Sequence, residues 1–484
     1  LGISVSELIQ KNNYQLEGVV MIRVTPLEKW IRAWAEIDSG LSGNGCVEAL
    51  KAYQLKRLNE TIDYARRTAP FYRSHLATLP TTPLSALSDI SRIPFTAPSE
   101  LAEAPSSFLA VRQDDITRIV SLSTSGSTGQ AKRLFFTEGD LELTVDFFHH
   151  GMSTLVKSGQ KVVIFLPGAS PDSVGDLLVR GLRRMDVDAI AYGPVADSSH
   201  AAKAVASFGA QCLVGIPTQL LAVACSKEGA AIGKGRIESV LLSTDYVPQA
   251  IAETLREVWG CRVFNHYGMT EMGLGGGVEC DALDGYHLRE ADLYFEVVDH
   301  ETGSVCPDGE IGEVVFTTLT RRGMPLIRYR TGDIARIITQ PCPCGSVLKR
   351  MERVRGRWNG AVHLGGGCTL TLSELDEALF RLSGLLDYRV TISNGAGGRH
   401  RMFVDVHKSE GSSLVARDVI RMLREVDAIR NGITLEFLEI PEVCFSEKGR
   451  WTTNGVSKRQ IVIIDGNTEI CSDVMKGSRK GTSV

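Results

Sequence analysis

From residue 117 to residue 270 the chain alternates short β-rich runs with helical stretches. The runs fall at 161–166, 188–192, 211–214, 239–243 and 261–265, and the helical stretches at 173–185, 199–208, 217–227 and 248–258. Strands separated by helices in this rhythm build βαβ units, which predicts a mostly parallel sheet with ligand loops at the strands' carboxyl ends. A chain of 484 residues exceeds one ordinary core and predicts two or three domains. Upstream, residues 47–77 read as one helical segment with apolar or aromatic positions at Leu50, Tyr53, Leu55, Leu58, Ile62 and Tyr64, broken at Pro70. Residues 285–338 are strand-rich, with turn signals at Glu301-Thr302-Gly303 and Pro307-Asp308-Gly309. The last hundred residues read as a small α+β domain, and Gly466 opens a polar tail. The charged, glycine-bearing stretch 353–360 suits a boundary between the two parts.

Composition excludes several classes. The net charge of −4 gives no reason to expect nucleic acid or an anionic membrane as partner. No apolar run approaches the length of a membrane span. Residues 1–13 lack the basic and apolar regions of a signal peptide, so a cytoplasmic location is expected. The first methionine is Met21, and residues 1–20 are either upstream sequence or an incidental extension. Eleven cysteines cannot all pair within the chain. Cys212, Cys225, Cys261 and Cys444 lie in apolar surroundings and are expected to be buried small hydrophobes.

Four stretches carry chemistry. Ser123-Thr124-Ser125-Gly126-Ser127-Thr128-Gly129 runs through Gln130 and Ala131 to Lys132. Such a loop can wrap amide and hydroxyl donors around a polyphosphate, with the lysine as a point charge, or it is simply a flexible linker. No Gly-Lys-Ser/Thr triplet closes it, so it is not a Walker A loop. Asn265-His266-Tyr267-Gly268-Met269-Thr270-Glu271 follows a strand, where α/β ligand sites form. Tyr329-Arg330-Thr331-Gly332-Asp333 offers an acid suited to a ribose diol, and Asn454-Gly455-Val456-Ser457-Lys458-Arg459 sets a lysine near the C-terminus. Singly, these also read as a strand-to-loop turn, a β-turn with an ion pair, and a basic tail.

In this order and spacing the four stretches resemble the adenylate-forming superfamily of acyl-CoA synthetases and adenylation domains, over roughly residues 45–465. Detail resembles the phenylacetate-CoA ligase branch: Ile62-Asp63-Tyr64-Ala65-Arg66, Pro70-Phe71-Tyr72, Ile93-Pro94-Phe95-Thr96, Gly215-Ile216-Pro217-Thr218, and above all 309–320 continuing through 325–333. The resemblance implies an α/β fold: a large N-terminal domain (21–356) of mixed and parallel sheets flanked by helices plus a strand-rich subdomain, then a small mobile α+β C-terminal domain (357–465) and a polar tail (466–484). It implies a two-step reaction in which a carboxylate attacks the α-phosphorus of Mg·ATP, and a thiol, usually of coenzyme A, then displaces AMP. Residues 123–129 with Lys132 would hold the β- and γ-phosphates, and Glu271 would bind Mg²⁺ with Thr124 or Thr128 nearby. Asn265, Tyr267, Gly268 and Thr270 would line the nucleotide site, with Tyr267 near the adenine. Asp333 would accept from the ribose hydroxyls, Arg357 would make a second nucleotide contact, and Lys458 would bridge carboxylate and α-phosphate.

Departures from the family pattern touch the hinge at Asn359, the missing proline before Lys132, the segment 243–248, the region 358–367 and the approach to Lys458. They leave the acid and the acceptor thiol less defined than the nucleotide chemistry. In this branch the acyl pocket falls at Gly215, Ile216, Tyr246, His266, Gly268, Gly273 and Gly275-Gly276-Gly277. The glycine run either leaves room for an aromatic ring or forms a mobile loop, and His266 either orients a polar substituent or is a satisfied buried histidine. Cys280, His287, Cys342 and Cys344 offer three thiolates and an imidazole from segments that a two-strand ladder would join. The bland alternative is a tight turn with two free thiols. Some phenylacetate-CoA ligase relatives bind a structural zinc at these positions, which the resemblance implies here. The expected partners are a small carboxylic acid, most readily an aryl acid, and coenzyme A, with a homodimer expected by resemblance alone. Adenylation with another acceptor, or nucleotide binding without catalysis, stay as alternatives.

Overall fold

The computed structural model describes residues 24–122, 132–394, 398–446 and 459–464. The predicted N-terminal helix divides at its proline, into Gly43–Thr68 and Pro70–His75. Pro70 drives Ala69 into an extended conformation (φ −92°, ψ 120°) and then opens the second helix, where its missing N–H leaves no gap. The long helix is tied to distant chain by Tyr53, whose hydroxyl donates to the Ala291 carbonyl (2.7 Å), and by Thr61, which donates to the Leu319 carbonyl (2.8 Å).

Five parallel strands lie in the order Arg262–Tyr267, Ser239–Leu242, Cys212–Gly215, Lys161–Ile164, Asp188–Ala191. Their connecting helices are Val174–Arg183, Ser198–Phe208, Pro217–Cys225 and Gln249–Trp259. The two middle strands are buried at every position, as β-branched and leucine-rich runs covered by helices on both faces should be. The strand-rich stretch does not form one unit. Gly277–Glu279, Tyr286–Leu288, Arg350–Met351 and Ile337–Ile338 extend the parallel sheet antiparallel from its Arg262–Tyr267 edge, making nine strands. Leu293–Val298, Gly312–Thr318, Tyr329–Ala335 and Gly356–Arg357 form a separate four-stranded sheet.

Beyond residue 360 a third layer appears: Glu442–Ser446, His400–Lys408, Leu385–Asn394 and Val462–Ile464, with three helices, Leu372–Leu379, Ala416–Leu423 and Asp427–Thr434. Helix Pro217–Cys225 touches strand Leu385–Asn394, so one apolar core continues from the parallel sheet into this layer. Among the described residues no helix is long and apolar enough to cross a membrane. Two cysteine expectations are corrected. Cys212 and Cys261 are buried, but Cys225 at its helix end and Cys444 are exposed, because a local apolar neighbourhood does not decide which side of an element meets solvent.

Candidate active site

Three parallel strands end on one edge, at Gly215, Leu242 and Tyr267, and the stretch through Glu271 continues from the last of them. Just past Tyr267 the turn Thr270–Met272 places Glu271 in the interior, 3 % exposed. Lys132, the first residue of strand Lys132–Phe136, donates from Nζ to Glu271 Oε1 at 2.7 Å. Tyr329 donates its hydroxyl to the same oxygen at 3.2 Å and accepts from Lys132 at 3.3 Å. Burial, and then the Glu271 charge, push the Tyr329 phenol well up, so it stays protonated as a donor. Arg321 holds the turn from behind, donating to the Glu271 carbonyl at 2.7 Å. The result is a lysine and a carboxylate, paired and largely desolvated.

A second cluster lies on the four-stranded sheet. Asp333 accepts from the Tyr267 hydroxyl at 2.9 Å on one oxygen and from Arg357 Nε at 2.8 Å on the other. Strand pairing sets Asp333 opposite Arg357, and the Tyr267 ring stacks on Tyr286 with centroids 5.8 Å apart. Asp333 owes its position to its neighbours. Gly332 takes φ +74° and donates its N–H to Glu313, while the Thr331 hydroxyl accepts from the Asp333 amide. No atom crowds a Cβ at Gly332, so only the left-handed backbone opposes a side chain there. Gly332→Ala is therefore expected to cost about 1–2 kcal/mol of stability, read from urea midpoints, with a smaller change in chemistry than in stability.

Strand alternation puts Asn265 on the face of Tyr267 and turns His266 to the other. Asn265 donates its backbone N–H (2.8 Å) and its side-chain Nδ2 (2.9 Å) to Glu279 Oε2, and Arg353 pairs with Glu279 Oε1 at 2.8 Å. On the opposite face His266 Nδ1 meets the Ser243 hydroxyl at 2.9 Å, and its ring lies 6.0 Å from Phe147 and 6.5 Å from Phe148. Burial, assisted by Arg289, holds His266 down to about 4, so the imidazole is neutral near pH 7. The glycine run is closely packed from one side: a Cβ on Gly275 would lie 2.2 Å from the Phe147 ring, and one on Gly276 2.7 Å from Met272 sulfur. Phe147 already fills the notch that the glycines create. Gly268 packs its backbone against Gly275, and Gly215 abuts Leu220 and Phe165.

Residues 77–319 match the AMP-binding enzyme family. The chain belongs to that family. It is 27% identical over 406 residues to the phenylacetate-coenzyme A ligase of Thermus thermophilus, spanning 80% of this chain and 89% of the relative. The Escherichia coli phenylacetate-coenzyme A ligase is 26% identical over 375 residues, spanning 76% of this chain and 84% of the relative. The chain thus falls in the phenylacetate-CoA ligase-like branch and is an AMP-forming ligase. Among solved structures, 2-hydroxyisobutyryl-CoA ligase in a postadenylation state shares the fold at a TM-score of 0.71, with 20% identity over 89% of this chain and 92% of that one.

Not every residue singled out in the sequence comes to this edge. Ser123 through Gly129 and Lys458 lie outside the described residues. Tyr246 donates its hydroxyl to Glu377 at 2.8 Å, so it stands at the contact with helix Leu372–Leu379. Arg459 reaches the same contact, pairing with Asp245 at 2.9 Å and bidentately with Asp376 at 2.7 and 2.8 Å. Two site residues had gone unassigned. Tyr329 stood inside its motif with no role, although a phenol two residues before the motif's Thr331 shares its strand face. Glu279 offered no local signal, because its partner Asn265 is remote in sequence.

Cys280, His287, Cys342 and Cys344 meet with all four ligand atoms within 4.8 Å of one another. The Cys280 and Cys342 sulfurs are 3.5 Å apart, and Cys344 Sγ lies 3.3 Å from His287 Nε2. Backbone amides of Ala282 and Ser346 donate to the Cys280 and Cys344 sulfurs at 3.4 Å. A hydrogen bond from Cys280, and then His287, hold the Cys344 thiol below its ordinary range despite burial.

Proposed function

We propose that this chain joins a carboxylic acid, most readily an aryl acid of the phenylacetate type, to coenzyme A at the expense of ATP. The observation that carries the reading is the Lys132–Glu271–Tyr329 cluster standing beside Tyr267–Asp333–Arg357 at one edge of the sheet. In the first step a carboxylate oxygen bonds to the α-phosphorus and pyrophosphate leaves. In the second a thiol sulfur bonds to the acyl carbon, AMP leaves, and the thiol proton passes to solvent. Nothing covalent is asked of the protein, so catalysis rests on alignment and on absorbing charge at phosphorus.

The roles are those the family resemblance implies, and the described contacts agree with several of them. Lys132, with residues 123–129, supports the outer phosphates. Asp333 and Arg357 hold the ribose, Tyr267 and Asn265 the base, with Gly268 and Thr270 in the connecting turn. Glu271 is a hard oxygen donor suited to Mg²⁺, with Thr124 or Thr128 as further ligands. Bound there, the ion would supply charge neutralisation to the phosphates. Lys458 would bridge the carboxylate and the α-phosphate. The acid would lie toward Gly215, His266 and Gly275-Gly276. The aromatic wall of Phe147 and Phe148 and the neutral, unpartnered His266 Nε2 favour an aryl acid over a charged one.

The large part (21–356) and the small part (357–465) are read as two bodies turning at Asn359 between the half-reactions. Arg459 with Asp245 is then a bond across the moving contact, since Asp376 travels with Arg459. Asp245→Asn is expected to shift the ratio of thioester formation to adenylation by about 10- to 100-fold, the value of a charge-assisted hydrogen bond. Pyrophosphate exchange and thioester formation from supplied acyl-adenylate measure it, and equal changes in both would remove Asp245 from the hinge. Zn²⁺ fits the Cys280–His287–Cys342–Cys344 cluster, where four protein ligands leave no open position and make the metal structural.

The deciding experiment is pyrophosphate release against aryl and aliphatic acids, each with and without coenzyme A. Turnover that needs coenzyme A and one acid class supports the reading. A hydroxamate-trappable adenylate formed without coenzyme A dependence assigns another acceptor, and no release with any acid overturns catalysis.

A further inference from the structure

Asn265 is 1 % exposed, yet its side-chain oxygen Oδ1 has no hydrogen-bond partner among the described residues. Burying an acceptor unpaired costs about 1–3 kcal/mol, so such an atom points to a ligand that supplies the donor. Which amide atom faces outward is decided by chemistry. Glu279 is fully buried and its two oxygens are met by four donor contacts: Asn265 N and Nδ2 on Oε2, Arg353 Nε and Nη2 on Oε1. A carboxylate surrounded in this way accepts only, so it takes the NH₂ end of the Asn265 amide and turns the oxygen away. That oxygen lies on the strand face that also carries Tyr267, whose hydroxyl holds Asp333.

We infer that Glu279, itself held by Arg353, is a positioning residue that locks the Asn265 amide with its oxygen toward the nucleobase, so that the site selects a purine bearing a 6-amino donor. This rests on the nucleotide reading above. A base with an oxygen at that position, as in inosine triphosphate, would set acceptor against acceptor. With the lock removed the amide can turn over and offer its NH₂ end instead. Glu279 therefore acts on base choice without touching the nucleotide.

The test is equilibrium binding of ATP and of inosine triphosphate to the full chain. Wild type should bind ATP at least about tenfold more tightly than inosine triphosphate, the value of one buried hydrogen-bond mismatch. Glu279→Gln should collapse that ratio, chiefly by tightening inosine triphosphate, because a glutamine that keeps its oxygen on Arg353 turns its NH₂ toward Asn265 and draws the oxygen end of that amide, leaving the NH₂ end for the base. Asn265→Ala, which leaves Glu279 and Arg353 paired, should also abolish the preference and serves if Glu279→Gln does not fold. A Glu279→Gln protein that weakens both nucleotides equally makes Glu279 merely structural and overturns the lock. Wild type that binds ATP without preferring it overturns base selection alone, whereas wild type that binds neither nucleotide overturns the nucleotide reading itself.

Discussion

Glu271→Gln is expected to lower acid-dependent pyrophosphate release about 10²- to 10³-fold, the range for removing one group that stabilises transition-state charge. The substitution keeps volume and an acceptor for Tyr329 and Lys132, so the fold should survive. What disappears is charge. Lys132, whose side chain is 20% exposed, loses the opposite charge that stands at 2.7 Å, and the hard anionic oxygen suited to Mg²⁺ is replaced by a neutral carbonyl. The loss should fall on kcat, with metal-free ATP binding changed only a few-fold, because ribose and base contacts are untouched. Glu271→Asp should recover part of the rate by restoring the charge at shorter reach. A rate for Glu271→Gln within tenfold of wild type would reduce Glu271 to a counter-ion for Lys132.

The two kinds of site residue differ in how they are encoded. Asn265, Tyr267, Glu271 and Asp333 sit in short stretches that are ambiguous singly, and it is their shared order and spacing, through the family resemblance, that singles them out in the sequence. The parallel strands and their helices were legible too: a predicted stretch at 217–227 becomes Pro217–Cys225, and one at 248–258 becomes Gln249–Trp259. Periodicity reports burial locally, and these elements are buried on the faces it marks. Contacts between remote segments leave no such trace. That Phe147 fills the notch at Gly275, that Glu279 braces Asn265, and that Tyr246 joins Glu377 depend on where whole layers come to rest. The antiparallel extension was hidden for the same reason. Strands of two or three residues, such as Arg350–Met351, are too short to show alternation.

That extension carries the second large effect. Cys280 directly follows strand Gly277–Glu279, and His287 lies in Tyr286–Leu288. Cys342 and Cys344 form the turn between Ile337–Ile338 and Arg350–Met351, closed by the Gly345 N–H donating to the Cys342 carbonyl at 2.9 Å. A metal at the cluster would tie these four short strands together where backbone pairing alone is sparse. Cys342→Ser is accordingly expected to remove the bound zinc, measured as one equivalent in wild type by elemental analysis. The expected destabilisation is about 4 kcal/mol or more, a size that few mechanisms besides metal loss reach. At roughly 1–1.5 °C per kcal/mol for a body of this size, this lowers the thermal midpoint by about 4–6 °C or more. Acid should mimic the variant: thiolates and imidazole bind metal only when deprotonated, so zinc release rises as pH falls. Because Glu279 adjoins Cys280, the damage should reach ATP affinity before it reaches the Lys132–Glu271 pair. Wild type purified without zinc, its midpoint indifferent to chelator and to Cys342→Ser, would leave the cluster as a thiol turn held by its own hydrogen bonds.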